Sequence, residues 1–422
     1  MNRVVKAGVI AALACAGLFS AQRMSAQPEG EGEPGGSSAT TGTTGARGGW
    51  VLLDVASNAL VRSGTNAMYN LRYEEADSIF NELVKHDPQH PAGYFLLALV
   101  DWWRIVPNSS VDSKVERYSK SFDGRIDKVV EISNKRLEAN PNDIVGLFFK
   151  GSALGYRARL MTLRNFSSTS IFDWVIAAST GKEAYDIILQ CQRLAPSNSD
   201  ILLGSGLYNY FGAYIPEKFP AAKGALGFLP PGDRKIGLSM LRISGERAVY
   251  AGTEARYSLL DILTNMEADY ASALPVARAL HEQYPGNSVF YRFLGRSLYQ
   301  TSNFVEADSA FRDILRKIKA REPGYELTLA RQALYYLGDI RLRSGDVQTA
   351  VRLFQEADQQ SRRLGDDEES SWIILTNLKM GYAYDLLGKR DDAVRQYKKV
   401  LSMDDYNKSR ENAEKYLKTP YK

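Results

Sequence analysis

The chain has 422 residues, 44% of them hydrophobic and 24% charged, a composition that excludes a wholly disordered or low-complexity protein. Its formal charge of +4 belongs to the N-terminal segment, because without Arg3, Lys6 and Arg23 the balance is 50 basic to 49 acidic residues, and nothing in that balance supports a nucleic-acid partner. Only Cys15 and Cys191 are present, which excludes a disulfide framework.

Arg3 and Lys6 precede an apolar run from Ala7 to Ala21, followed by small residues, the layout of a secretory signal peptide over residues 1–26. The run is too short to span a membrane, which takes about 20 apolar residues. Cleavage is expected after Ala21 or Ala26, although Phe19 and Met24 are bulky where a small residue is preferred. The alternative is lipidation at Cys15, since Ala12-Leu13-Ala14-Cys15 is a weak match to a bacterial lipobox and would give a membrane tether. Residues 27–49 are Gly, Ser, Thr, Glu and Pro without apolar periodicity, a flexible linker. The expected location is the periplasm or cell envelope.

From residue 50 onward the chain reads as helical hairpins. A tight helix pair needs small side chains where its axes approach, and Gly64 with Ala76, Asp261 with Ala273, Gly295 with Ala307, Gly338 with Ala350 and Gly381 with Ala393 are each twelve apart. Asp261 is the poor fit. Phe80, Phe311, Phe354 and Tyr397 follow four residues after the second-helix alanine, where they fill the gap between helices; Tyr257, Tyr291 and Leu334 lie four before the first-helix position. Pro88, Pro141, Pro196 and Pro285 stop second helices, since proline has no N–H to donate and disfavours helical geometry before it. In these residues the chain resembles tetratricopeptide repeat proteins over roughly 350 residues. The resemblance implies an all-α, right-handed solenoid of about eight hairpins with a non-enzymatic binding role: enlarged hairpins at about 92–250, regular repeats at 251–407 and a capping helix at 408–418.

Three hairpins are enlarged. From Ala98 to Val129, Gly151 to Ala184 and Gly204 to Gly237 the spacing is 31, 33 and 33 residues. Equivalent turns of a solenoid stack along one edge, so the insertions should converge, with Trp103, Trp174 and Phe211 in touching segments. They are rich in aromatics, and two readings stand: packed, lengthened helices, or a binding edge with Trp102, Trp103, Phe172, Trp174, Tyr210, Phe211 and Tyr214 facing a ligand or partner. A concave groove of first helices, with Tyr94, Leu97, Tyr257 and Tyr291, is the other candidate surface. An open groove with packed aromatics would mark a protein scaffold; a deep pocket walled by them would mark a carrier of a small molecule or glycan.

The third insertion carries Gly206-Leu207-Tyr208-Asn209-Tyr210, Ile215-Pro216, Leu226-Gly227-Phe228, Gly232-Asp233-Arg234 and Gly237. Over about 36 residues this resembles the eukaryotic tetratricopeptide family of the inclusion-body clearance and outer mitochondrial membrane type, although its double proline is displaced to Pro230-Pro231. That resemblance implies a non-enzymatic repeat protein, while the leader has a bacterial layout. By residue chemistry Gly227, Pro230, Pro231 and Gly232 force a turn, Asp233 caps the following helix, and Arg234 pairs with Asp233 or a neighbouring hairpin: a structural corner.

No catalytic set emerges. His86 and His90 flank Pro88 in a turn and are read as surface residues rather than a zinc pair. Neither Ala178-Ser179-Thr180-Gly181-Lys182 nor Gly224-Ala225-Leu226-Gly227 has phosphate-loop spacing. Glu74-Glu75 suits an exposed helix start, and Asp366 to Glu369 lacks the ligand spacing of a calcium loop. Cys191 reads as a buried hydrophobe. The sequence therefore implies an exported scaffold for a protein or peptide partner, with no metal or cofactor, and a small-molecule or glycan carrier as the alternative.

Overall fold

A computed structural model describes residues 52–108, 112–164, 171–218, 227, 230–364 and 370–422, and leaves out the side chains of 112–114 and 171–175. Within them lie seventeen α-helices and no strand: α1 Val55–Tyr69, α2 Tyr73–His86, α3 Pro91–Ile105, α4 Asp112–Ala139, α5 Ile144–Arg164, α6 Ile171–Leu194, α7 Leu202–Lys218, α8 Arg234–Arg247, α9 Gly252–Asn265, α10 Tyr270–Gln283, α11 Ser288–Gln300, α12 Phe304–Lys319, α13 Leu327–Arg343, α14 Val347–Arg363, α15 Ser371–Leu386, α16 Arg390–Leu401 and α17 Ser409–Lys418. They pair in order as eight hairpins, and α17 packs on the last through Tyr416, whose ring meets Tyr382 at 5.1 Å. Side-chain caps set several helix starts: Asp54, Asp233, Asp269, Asn287 and Asp346 each accept a hydrogen bond from a first-turn N–H. Each of the four inter-hairpin prolines stands just past the end of a second helix.

The twelve-residue spacing corresponds to the close approach within each regular hairpin. A Cβ on Gly381 would lie 2.3 Å from Tyr397 Cε1, and one on Gly338 2.6 Å from Phe354 Cε1, so the aromatic occupies the space a larger residue would need. Ala350 is fully buried in the same contact. Ala350→Leu is therefore expected to cost roughly 1–3 kcal/mol through overpacking. Because repeat arrays can melt in parts, the loss should show in a urea titration as earlier unfolding of the C-terminal hairpins, and an unchanged curve would refute this register.

The fourth hairpin departs from the expected register. Gly204 faces Ile188 of the previous hairpin at 3.4 Å, and the residue opposite Gly237 is Gly206, whose Cβ would meet Leu241 at 3.0 Å and the Gly237 carbonyl at 3.1 Å. Tyr210 then lies directly over Gly237, 2.6 Å from a Cβ there to the tyrosine N. The insertions of the second and third hairpins are taken up largely as helix: α4 has 28 residues, α5 21 and α6 24.

These long helices let the solenoid turn close on itself. The α1–α2 turn reaches the α10–α11 turn, where Asn287 Nδ2 donates to the Tyr69 carbonyl at 2.8 Å and Gly286 N donates to Asn70 Oδ1 at 3.1 Å. Tyr250 donates to Asn58 at 2.8 Å, and Tyr69 packs on Tyr284 with ring centroids 5.0 Å apart. In consequence the first helices lose the open groove expected of them. Leu97 and Tyr257 are buried, α9 and α13 are covered on nearly all sides, and Tyr291 stacks on His281 at 4.1 Å.

Candidate functional site

The closed turn of hairpins one to five surrounds a cavity of about 590 Å³, mainly apolar in its walls. The sequence makes room for it with small residues on one helical face. On α5, Gly151, Gly155, Ala158 and Thr162 recur at intervals of three and four, so that face carries little bulk; Ala177, Gly181 and Ala184 do the same on α6. A Cβ on Gly155 would meet nothing within 4 Å. Phe95 of α3 and Phe148 and Phe149 at the start of α5 also line it, and α7 supplies Leu207, Tyr208 and Phe211. Tyr208 is held by stacking on Tyr185, with centroids 3.5 Å apart.

Few polar groups face this chamber. Glu254, 3% exposed, accepts hydrogen bonds from Tyr69 Oη at 3.0 Å, Trp103 Nε1 at 2.6 Å and Tyr156 Oη at 2.7 Å, and so joins hairpins one, two and three to the fifth. Lys182 pairs with Asp186 at 2.6 Å, and Asp200 accepts from the backbone N–H groups of Val249, Tyr250 and Ala251. Arg159 differs. Its guanidinium lies on the faces of Trp102 and Tyr257, 4.8 and 5.9 Å from the ring centroids, and makes no hydrogen bond or ion pair among the described residues.

Of the residues expected to meet a partner, Trp102, Trp103, Tyr210, Tyr214 and Tyr257 are buried and offer no outer surface. The closure of the turn is the reason: Trp103 sits among Tyr69, Tyr257 and Phe290, with centroids 5.1–5.4 Å away. The helices that carry Trp103, Trp174 and Phe211 belong to successive hairpins packed through α5 and α6, but Trp103 is core, hydrogen-bonded to Glu254, while Phe211 is half-buried in the chamber wall. Tyr94 and Tyr291 are half-buried. The side chains of Phe172 and Trp174, and all of Phe228 and Asp366 to Glu369, lie outside the described residues. Arg159, Glu254 and Tyr156 were not singled out from the sequence. The small-residue face of α5 was the available signal for the chamber, whereas Glu254 is separated by about 100 to 185 residues from its three donors.

The motif of the third insertion is a corner. Asp233 caps α8 by accepting from Ile236 N at 2.9 Å, and Arg234 pairs with Glu217 at 2.9 Å and with Glu267, in the α9–α10 turn, at 2.6 Å. Tyr210 Oη also donates to Glu267. Asn209 donates to the Ser205 carbonyl and Pro216 lies inside α7; its neighbour across the corner, Gly232, approaches so closely that a Cβ would be 2.2 Å from Asn209 O. Gly227 is exposed at the turn, and with Pro230, Pro231 and Gly232 it reaches the chamber rim.

The remaining candidates are structural. His90 is not the surface residue expected: half-buried against Phe149, it caps α3 by accepting from Ala92 N at 3.2 Å. His86 is exposed, 3.5 Å from Asp54. Glu74 and Glu75 lie in the exposed first turn of α2. No group of three or more His, Cys, Asp or Glu is placed to hold a metal ion among the described residues, and no helix there is long and apolar enough to cross a membrane. Cys191 is fully buried, and burial pushes its thiol up to about 12. It should stay protonated and unlabelled by a thiol reagent in the folded protein at pH 8, reacting only on denaturation; prompt labelling would contradict its placement.

Residues 318–363 and 376–404 match two family models, both described as tetratricopeptide repeat. No curated protein matches the chain. Solved structures similar to it include a tetratricopeptide repeat protein from Parabacteroides merdae, at 12% identity over 72% of this chain and 93% of that one with a TM-score of 0.28. Yeast Tom70 follows at 12% identity over 86% and 95%, TM-score 0.28, and a Rap protein complexed with competence and sporulation factor at 11% over 86% and 97%, TM-score 0.38. Tetratricopeptide repeats serve in general as non-catalytic scaffolds for protein–protein contact. The chain thus carries tetratricopeptide repeats at 318–363 and 376–404, at the C-terminal end of a stack of eight helical hairpins.

Proposed function

We propose that the protein is an exported, non-catalytic binding protein of the bacterial cell envelope whose ligand site is the chamber of hairpins one to five. The chamber carries this reading: it is deep, walled by aromatic and small residues of the enlarged hairpins, and takes the place of an open groove. Its apolar walls favour an apolar molecule over a glycan, which would need many hydrogen-bonding partners. The basic start and apolar run of the leader support export. The test has two arms. The neutral fluorophore N-phenyl-1-naphthylamine should bind the purified mature chain saturably at one site, and protein recovered from cell envelopes should lack Met1; absence of binding, or an intact N-terminus on wholly cytosolic protein, would refute the respective part.

A second reading, support of a protein or peptide partner, is favoured by the repeats recognised at 318–363 and 376–404. Such a partner would meet outward faces of the solenoid, since the inner ones are covered. Association that persists when the chamber is filled would favour this reading, and association lost with it would make the chamber the partner's site as well.

A further inference from the structure

Resting on the chamber reading, we infer that the ligand is a single-chain amphiphile whose apolar chain lies along the small-residue faces of α5 and α6 and whose anionic head is bound by Arg159. The walls near Gly155 and Gly181 offer carbon and space, which suits methylene groups and leaves a sugar or nucleotide without partners. A ligand without any polar end would leave Arg159 unexplained. Its guanidinium, half-buried at the wall, hydrogen-bonds to no acceptor among the described residues and so is open to an acceptor brought by a ligand.

No neighbouring acid hydrogen-bonds to it. Glu254 is engaged by three donors, Asp200 holds the backbone before α9, and Asp261, which accepts from Asn265 Nδ2 at 2.8 Å, is close enough to feel the Arg159 charge but makes no hydrogen bond or ion-pair contact with it. The other chamber cation, Lys182, is already paired with Asp186. Arg159 is thus the one chamber cation without a hydrogen-bonded acid among the described residues, and the faces of Trp102 and Tyr257 hold its guanidinium fork in place. A planar carboxylate matches such a fork with two parallel hydrogen bonds. One cation and one continuous space of about 590 Å³ describe a monoanion with one chain, such as a long-chain fatty acid.

The experiment uses two fluorescent probes on the purified mature chain, neutral N-phenyl-1-naphthylamine and anionic cis-parinaric acid. The wild type should bind both at one site, and palmitate should displace both. Gly155→Leu places a side chain into open chamber space at a position where leucine is also the better helix former, so thermal melting should be retained while affinity for both probes falls by about tenfold or more. Arg159→Met should keep the neutral probe and weaken cis-parinaric acid by about tenfold or more, with Arg159→Lys restoring part of the loss. Should Arg159→Met fold poorly, the wild type answers alone: lowering the pH until the probe's carboxyl is protonated should weaken cis-parinaric acid and leave the neutral probe unchanged. Equal binding of cis-parinaric acid by wild type and Arg159→Met, or indifference to its protonation, would overturn the head-group assignment while leaving the chamber reading intact. No saturable binding of the neutral probe, or unchanged binding in Gly155→Leu, would overturn both.

Discussion

Glu254→Leu is expected to destabilise the protein by roughly 3–5 kcal/mol, because two buried donors and one half-buried one would lose their acceptor at about 1–3 kcal/mol each while the side chain's own desolvation cost is relieved. The donors, Tyr69, Trp103 and Tyr156, belong to three different hairpins, so the loss falls on the closure of the turn rather than on any one helix pair. A urea titration followed by tryptophan fluorescence should report it, since Trp102 and Trp103 are both in this region. The N-terminal five hairpins should unfold earlier than in the wild type while the C-terminal three keep their midpoint. Glu254→Gln, which retains one acceptor oxygen, should cost less. A Leu variant within about 1 kcal/mol of wild type would mean that Glu254 does not hold the turn closed.

The second large effect is expected at Asp339 in the seventh hairpin. Its carboxyl is almost fully buried and accepts from Tyr299 Oη and from Arg343 Nε at 2.5 Å, with Lys379 Nζ 2.7 Å away. Burial alone would raise its pKa, but Lys379 and Arg343 outweigh this and hold it at about 2 against an ordinary 3.8. A carboxyl depressed in the folded state stabilises above its unfolded pKa and loses that contribution as pH falls through the folded value. The contribution is about 2 kcal/mol, complete above about pH 4 and lost between about pH 4 and pH 2. Asp339→Ala should cost roughly 2–4 kcal/mol at neutral pH, since it also leaves Lys379 half-buried without its partner. Stability measured across that window should show wild type converging towards Asp339→Asn as the pH falls. A gap that stays constant would show that the carboxyl is not ionised in the folded protein.

The helix pairs were legible because their determinants are local. Gly338, Ala350 and Phe354 fall within 17 residues, and one close approach dictates all three. The corner at Asp233 and Arg234 was legible for the same reason, although its ion partner Glu267 was not named. What escaped was set by how far each hairpin rotates on the next. Trp103 has the composition of a binding residue, and only the closing of the turn onto Tyr257 and Phe290 makes it core. The same closure removed the expected groove and produced the chamber. Its lining comes from segments far apart in sequence, with Leu53, Phe149, Phe211 and Glu254 brought to one space. The small faces of α5 and α6 contribute to that space, but small residues at helical spacing equally mark tight helix contacts, as they do at Gly64 and Ala76. The register of the fourth hairpin was misplaced by two residues because Gly204 and Gly206 are equally small, and only the position of Tyr210 over Gly237 decides between them.

The closed turn can be tested directly at the contact between Asn70 and Gly286. A Cβ built on Gly286 lies 3.4 Å from the Asn70 Cβ, near the separation of about 3.5–4.5 Å that a disulfide spans, and 2.9 Å from the Asn70 carbonyl oxygen, so the two turns must ease apart slightly to take the link. In a chain with Cys15 and Cys191 changed to alanine, Asn70→Cys with Gly286→Cys should form an intrachain disulfide in high yield under mild oxidation. The oxidised protein should keep wild-type helicity and show a raised thermal midpoint, because the link closes a long loop that is already closed in the native state. Free thiols after oxidation, or a disulfide that forms only between chains, would contradict the closed turn and with it the chamber.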